Sequence, residues 1–157
     1  MTRPGAARVG ALLLGLAVPV VAGAACIELA SHPDGATLAH VAVATAAPEF
    51  TITYMHSVTR TPVEERFAID GTTLVETQMS FALHGPGLPT AADPGGTMTI
   101  VDGRHLVSMA RRYDTFVMRV HADQLPQLHV AGQVLRLTAW GNRALSLRAV
   151  AGTCPDS

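Results

Sequence analysis

Apolar and polar residues alternate through the middle of the chain, and this pattern predicts β-strands. From Phe50 to Val58 the even-numbered positions carry aromatic, aliphatic or histidine side chains, whereas the odd-numbered ones carry Thr, Met or Ser. From Val63 to Ile69 the odd-numbered positions repeat the pattern. A period of two residues is typical of a strand with one buried face. The segment therefore predicts strands that share a buried face.

Short strand-like segments continue toward the C-terminus with turn residues between them. Residues 97–101 and 104–108 flank Asp102-Gly103, a favoured hairpin turn. Further strands are predicted at residues 115–121, 128–130, 133–139 and 144–150, and only residues 122–128 suit a short helical turn. This spacing predicts an all-β fold, a small sandwich or open barrel built of antiparallel hairpins.

Turn positions predict which residues of neighbouring strands lie opposite each other. A turn at residues 59–62 pairs Tyr54 with Phe67, and a turn at Asp70-Gly71 pairs Phe67 with Leu74. These registers place a histidine and two glutamates in one row across three strands, on the face that otherwise holds apolar side chains.

The predicted row consists of His56, Glu65 and Glu76. Buried charges require partners, and three interpretations follow. The row is a hydrogen-bonded network neutralised by an arginine such as Arg66 or Arg119, a site that binds a ligand or handles protons, or a metal site. If the three side chains lie together on the poorly solvated inner face, repulsion between the carboxylates should raise the pKa of at least one of them, and we expect a protonated histidine beside them.

Two more residues complete the candidate ligand-binding set of His56, Glu65, Glu76, His84 and Arg60. His84 opens a Gly- and Pro-rich loop that is long enough to be functional, and Arg60 lies at the tip of a turn. Ser57 faces away from its histidine neighbour, and no histidine spacing typical of metal sites occurs. We therefore assign no catalytic residue, no metal and no cofactor.

The core segment resembles a known family of bacterial proteins. The sequences HSVTRTPVEERF (residues 56–67) and HGPGLP (residues 84–89), with the strand around Glu76 between them, are similar to domain of unknown function 1850. The resemblance is carried by residues 50–89. It implies a small secreted protein whose gene lies beside a TRAP-type (tripartite, binding-protein-dependent) transporter of the TAXI class, and it supplies no established activity.

The N-terminal segment predicts export. Arg3 and Arg8 precede an uncharged run from Val9 to Ile27 that contains the small residues Ala22-Gly23-Ala24, the layout of a signal peptide. The alternative is an uncleaved membrane anchor, because the run is long enough to span a bilayer as a helix. We expect residues 1–24 to be the signal peptide and residues 25–157 a single β domain. The predicted location is the periplasm or the extracellular space, or the periplasmic face of a membrane if the segment is retained.

The cysteines and the charged residues bear on disulfide formation, on the class of partner and on the possible chemistry. Cys26 and Cys154 stand near the two ends of the predicted mature chain, and an even pair in an exported protein predicts a disulfide, with two free thiols or a zinc pair as alternatives. The formal net charge of −1 does not suggest nucleic acid as a partner. All 11 basic residues are arginine, which excludes a Schiff-base lysine.

These observations favour an exported accessory domain that binds a ligand or a partner. The expected partner is a TRAP-type transporter component, as the resemblance implies, or a small anionic ligand. One alternative is a small hydrolase- or isomerase-type enzyme that uses the His/Glu/Glu cluster. Another is a structural assembly subunit without a ligand, and on balance we expect no enzyme.

Overall fold

The chain folds as a β-sandwich. The computed structural model describes residues 25–43, 46–152 and 154–155. These residues form two antiparallel sheets that face each other, so the predicted all-β class is confirmed and the sandwich is the correct alternative. The predicted signal peptide, residues 1–24, lies outside the described residues.

The two sheets differ in size. The smaller sheet contains, in spatial order, β2 (Thr37–Val43), β1 (Ala25–His32), β11 (Arg143–Ala151) and β8 (Phe116–Val120). The larger sheet contains β10 (Gln133–Arg136), β9 (Gln127–Val130), β3 (Glu49–Met55), β4 (Pro62–Asp70), β5 (Thr73–Phe81), β7 (Arg104–Tyr113) and β6 (Met98–Val101). Short 3-10 turns occur at Ala122–Gln124, inside the segment predicted to be helical, and at Leu137–Trp140. Across the described ranges, no helix has the length and apolar character needed to cross a membrane.

Two apolar clusters hold the sandwich together. The main core lies between the sheets, where the ring of Phe67 stacks on Phe50 at 4.8 Å and meets the edge of Phe116 at 4.9 Å between centroids. A smaller cluster lies on the same face of the larger sheet, and Leu88 from the loop between β5 and β6 packs into it; its buried members are Val63, Met79, Phe81, Leu88, Val107 and Met109. The site described below lies between these two clusters.

The predicted disulfide is present and joins the two ends of the domain. Cys26 and Cys154 are bonded, with 5.2 Å between their Cα atoms. Strand β1 pairs with β11 along its whole length, and Cys26 lies opposite Val150. The bond therefore fastens the segment after the last strand to the first described strand.

The predicted register between β3 and β4 is wrong by four residues. Tyr54 pairs with Val63 and not with Phe67, because β3 ends at Met55 and six residues connect it to Pro62. His56 closes this connection: its N–H donates to the carbonyl of Thr61, and its carbonyl accepts from the N–H of Arg60. A slip by an even number of residues keeps every side chain on its predicted face.

The predicted register between β4 and β5 is also wrong. Residues 71 and 72 form the two-residue turn, so Phe67 pairs with Glu76 and not with Leu74. Beyond this pair Thr77 is an extra residue in β5, a β-bulge that shifts the pairing of the remaining strand by one. Side-chain alternation alone did not reveal the bulge, because a bulge interrupts the period on which the prediction depends.

Candidate functional site

A cleft of about 200 Å³ opens between the edge strand β8 and the inner face of the larger sheet. Strands β3 and β4 supply its polar side, and β8 with the segment that leads into β9 supplies most of the rest. The side chains that line it are Tyr54, Glu65, Phe116, Met118, Arg119, Gln124 and Pro126.

Glu65 presents a carboxylate to this cleft from β4. Its side chain points inward with the apolar residues of the strand, and the residue is only 7 % exposed. The hydroxyl of Tyr54 donates a hydrogen bond to Oε1 at 2.8 Å. Within the described residues Oε2 has no hydrogen-bond partner, and it is not one of the fully enclosed unpaired polar atoms. Because Glu65 lines the cleft, its carboxylate can meet another molecule there.

Burial raises the pKa of Glu65 from 4.5 to about 7. Loss of hydration is the largest cause, because an ionised carboxylate is poorly stabilised away from water. The negative charge of Glu76 raises the pKa further, whereas the Tyr54 hydrogen bond and the charge of Arg111 lower it. An upward pKa was predicted from repulsion between the carboxylates in a poorly solvated place, and burial is the larger of these two causes. Glu65 therefore changes its charge near neutral pH.

Glu76 is also buried and lies on the same inner face as Glu65. Tyr113 donates a hydrogen bond from its hydroxyl to Oε2 at 2.9 Å, while Oε1 is fully enclosed and has no partner among the described residues. Burial raises the pKa of Glu76. It also raises the pKa of Tyr113, to about 12, with a further contribution from the negative charge of Glu76.

Arg111 provides the positive charge that the sequence assigned to Arg66 or Arg119. It lies opposite Glu76 in β7, and its charge lowers the pKa of both glutamates. Its guanidinium also donates two hydrogen bonds, at 2.6 and 3.0 Å, to the two carboxylate oxygens of Asp93. Arg66 bonds with Glu64 on the outer face of β4. Because the Arg111 guanidinium is hydrogen-bonded to Asp93, its positive charge only partly neutralises the two buried glutamates.

Bulges in neighbouring strands spread the sheet beside these residues. Two cross-strand rows run through the site, one containing Glu76 and Arg111 and the other containing Glu65 and Val107. The segment between these rows contains one residue in β4, two in β5 and three in β7, so β5 and β7 each carry extra residues. Bulges often occur next to functional sites, where they redirect side chains. Here they change the spacing of the charged side chains relative to a regular sheet.

His56 is buried but does not join the glutamates as predicted. Its Nδ1 accepts hydrogen bonds from the N–H groups of Val58 at 3.3 Å and Thr59 at 3.1 Å. Its Nε2 lies 3.1 Å from the carbonyl oxygen of Pro86. An acceptor at Nδ1 and a donor at Nε2 define a neutral imidazole. The predicted pairing of a protonated His56 with Glu65 is therefore wrong, and the ring fastens the loop after β5 to the turn after β3.

This contact explains one glycine of the Gly-Pro-Gly sequence. A Cβ atom at Gly85 would lie 2.6 Å from Cε1 of His56 and 2.9 Å from Cγ2 of Thr59. Both distances are shorter than real Cβ contacts allow. Gly85 is therefore required for the close approach of the loop to the imidazole ring.

The remaining two candidate residues lie away from the cleft lining. His84 contacts His105 and Phe81, with ring centroids 4.2 and 5.2 Å away. Arg60 is exposed and pairs with Asp123 at 3.3 Å. Of the five candidates, then, the structure brings together Glu65 and Glu76. In the described part of the chain, no group of three or more His, Cys, Asp or Glu residues is arranged to hold a metal ion.

Sequence reasoning did not assign four polar partners to the site. Tyr54 was placed on the buried face without a polar role, and Asp93, Arg111 and Tyr113 were not considered. Asp93 lies in a loop and the other two lie far along the chain from the glutamates. No local pattern connects such residues, because the fold alone brings them together.

Comparison with known proteins identifies a family but no function. The chain matches the family model Domain of unknown function (DUF1850) over residues 50–137, more than half of its 157 residues. The matched segment includes all residues that line the cleft, together with Glu76, Asp93, Arg111 and Tyr113. No curated protein and no solved structure matches the chain. The protein therefore belongs to the DUF1850 family.

Proposed function

We propose that this protein is an exported ligand-binding domain that assists a TRAP-type transport system, and that its ligand occupies the cleft at Glu65. The observation that carries the proposal is the buried carboxylate of Glu65, which lines a cleft of about 200 Å³ and whose Oε2 has no hydrogen-bond partner among the described residues. A concave apolar site with a few convergent polar groups is the usual form of a small-molecule site.

The energetics of Glu65 support a functional role. An ionisable group with a pKa raised to about 7 lowers stability at neutral pH, and such groups are concentrated at functional sites. An apolar side chain of similar size would avoid this cost in a sandwich core. Phe116, Met118 and Pro126 add apolar surface for the body of a ligand.

The export and transport parts of the proposal have separate support. The disulfide between Cys26 and Cys154 is compatible with an oxidising compartment such as the periplasm. The N-terminal sequence has the layout of a signal peptide. The transport partner is proposed from the family resemblance and is a TRAP-type component.

Ligand-observed NMR with a library of small fragments tests the binding proposal. The variant Met118→Trp fills the cleft, and Ile100→Trp adds the same ring at an exposed position of β6 outside the cleft lining as a matched control. We expect fragments that bind the wild type and Ile100→Trp but not Met118→Trp. Absence of any fragment with this selectivity contradicts the proposal and favours a structural subunit without a ligand.

Acid–base catalysis is a second candidate, favoured by the same near-neutral pKa of Glu65. The NMR samples distinguish the two functions, because a substrate changes chemically during long incubation and a ligand does not. Conversion that Glu65→Gln abolishes supports an enzyme. Recovery of unchanged fragments supports a binding domain.

A further inference from the structure

The cleft carries opposite charges at two places. Glu65 supplies a buried carboxylate with an unpartnered oxygen on one side. Arg119 lines the same cleft from β8, is exposed, and forms no ion pair with any described residue. Gln124 adds an amide to the same lining. A ligand with one charge would leave one of the two ionic groups without a partner.

We infer that the ligand is a small zwitterion with an apolar body, the chemistry of an apolar amino acid, whose ammonium group is bound by Glu65 and whose carboxylate is met by Arg119. This inference rests on the proposed function and specifies its ligand class. An ammonium group donates three hydrogen bonds, and Oε2 of Glu65 is an acceptor without a partner among the described residues. The aromatic faces of Tyr54 and Phe116 further suit a cation.

The neighbouring charges favour the same orientation. Glu76 is not in the cleft lining, but its negative charge acts on Glu65, while Arg111 is hydrogen-bonded to Asp93. The ammonium group is therefore favoured beside Glu65. A carboxylate is favoured beside the exposed Arg119.

Three probes that share the 3-methylbutyl group test each half of the inference. Leucine carries both charges, 3-methylbutylamine lacks the carboxylate, and 4-methylpentanoate lacks the ammonium group. We expect leucine to bind about tenfold tighter than either single-charge probe, because charge-assisted hydrogen bonds contribute more than neutral ones. Glu65→Gln should reduce leucine affinity about tenfold and leave 4-methylpentanoate unchanged. Arg119→Gln should reduce leucine affinity and leave 3-methylbutylamine unchanged.

Two control variants and the pH dependence of binding test whether the change in affinity is specific to Glu65. Glu64→Gln removes a negative charge and Arg66→Gln a positive charge at the positions next to Glu65, on the outer face of β4. Both variants should leave all three affinities unchanged. Affinity for 3-methylbutylamine should increase from pH 6 to pH 8, because Glu65 ionises near pH 7 while an alkylammonium group stays protonated, as in lysine.

Other ionisable groups surround Glu65 on every side. Tyr54 on β3, Glu76 on β5, Arg111 on β7 and Arg119 on β8 all face it or the cleft. Tyr113 and Asp93 lie behind them as the hydrogen-bond partners of Glu76 and Arg111. Repeating the pH series with Glu65→Gln removes the contribution of Glu65 itself, so the increase in affinity should disappear.

The possible failures are distinguishable. If 4-methylpentanoate binds as tightly as leucine, or if Glu65→Gln leaves leucine affinity unchanged, the zwitterion inference is overturned and the cleft remains a binding site. The same conclusion follows if no probe binds while library fragments still bind in a Met118-dependent manner. If neither probes nor fragments bind, the proposed function is overturned as well.

Discussion

Replacing Glu65 by Gln should stabilise the protein at alkaline pH and have little effect at acid pH. Gln keeps the size of the side chain and retains an oxygen that can accept the Tyr54 hydrogen bond, but it cannot ionise. The buried carboxyl of the wild type must either hold a proton or carry a poorly hydrated charge. The variant therefore isolates the free energy of that ionisation.

The size of the expected stabilisation follows from the pKa of Glu65. Burial raises the pKa of Glu65 from 4.5 to about 7, and a tenfold change in proton affinity corresponds to about 1.4 kcal/mol. Below pH 4.5 the carboxyl is protonated in both the folded and the unfolded chain, so it does not lower the free energy of unfolding. As pH rises to about 7 the unfolded chain ionises while the folded chain keeps its proton, and the free energy of unfolding falls until both states are ionised. The free energy of unfolding should fall by about 3 kcal/mol in the wild type relative to the Glu65→Gln variant.

Urea unfolding from pH 4.5 to pH 8.5, with the disulfide intact, measures this difference. The single tryptophan, Trp140, packs against the main core and provides a fluorescence signal. Glu64→Gln is the matched control, because Glu64 is the preceding residue and bonds with Arg66 on the outer face. The control should follow the wild-type curve.

The difference between Glu65→Gln and wild type should grow from near zero at pH 4.5 to about 3 kcal/mol at pH 8.5. A difference that stays constant with pH would refute the raised pKa. Destabilisation by Glu65→Gln at pH 8.5 would show that the ionised carboxylate is well paired in the folded protein, which contradicts the site as described.

Four further changes have defined outcomes, each measurable by urea unfolding or by NMR titration. His56→Ala should lower the free energy of unfolding by about 2–3 kcal/mol without affecting cleft binding, because it leaves backbone groups that the imidazole satisfies without partners; a binding defect would contradict its placement outside the cleft. Gly85→Ala should destabilise by about 1–3 kcal/mol through overlap with that ring, and a neutral effect would show that the loop can move away. Replacing Cys26 and Cys154 by Ser should cost about 4–5 kcal/mol in the chain-entropy model, since 128 residues separate them, and an unchanged unfolding midpoint would contradict this. Tyr54→Phe should raise the pKa of Glu65 further, as followed by carboxyl ¹³C NMR, because the lost hydrogen bond favours the ionised form; a lower pKa would contradict the assigned donor.

Much of the fold could be predicted because strand signals are local. Alternation of side chains identified β3, β4 and β5, and Asp102-Gly103 identified the hairpin of β6 and β7. The two residues of that turn adopt positive φ angles of 49° and 74°, which the Asp-Gly sequence favours. The pairing of Cys26 with Cys154 followed from their positions at the two ends of the domain.

The sequence by itself determined that Glu65 and Glu76 point into the protein, because the face of a strand residue depends only on whether its position is odd or even. It did not determine their neighbours. The six-residue connection at His56 and the turn at residues 71–72 set the registers of β3, β4 and β5, and the bulge at Thr77 shifted the remaining pairing by one; side-chain alternation alone specifies none of these pairings. Tertiary structure alone placed Arg111 opposite Glu76, since strand pairing between distant segments depends on packing of the whole domain. It likewise decided that the imidazole of His56 binds backbone groups, and that β8 leaves a cleft beside Glu65.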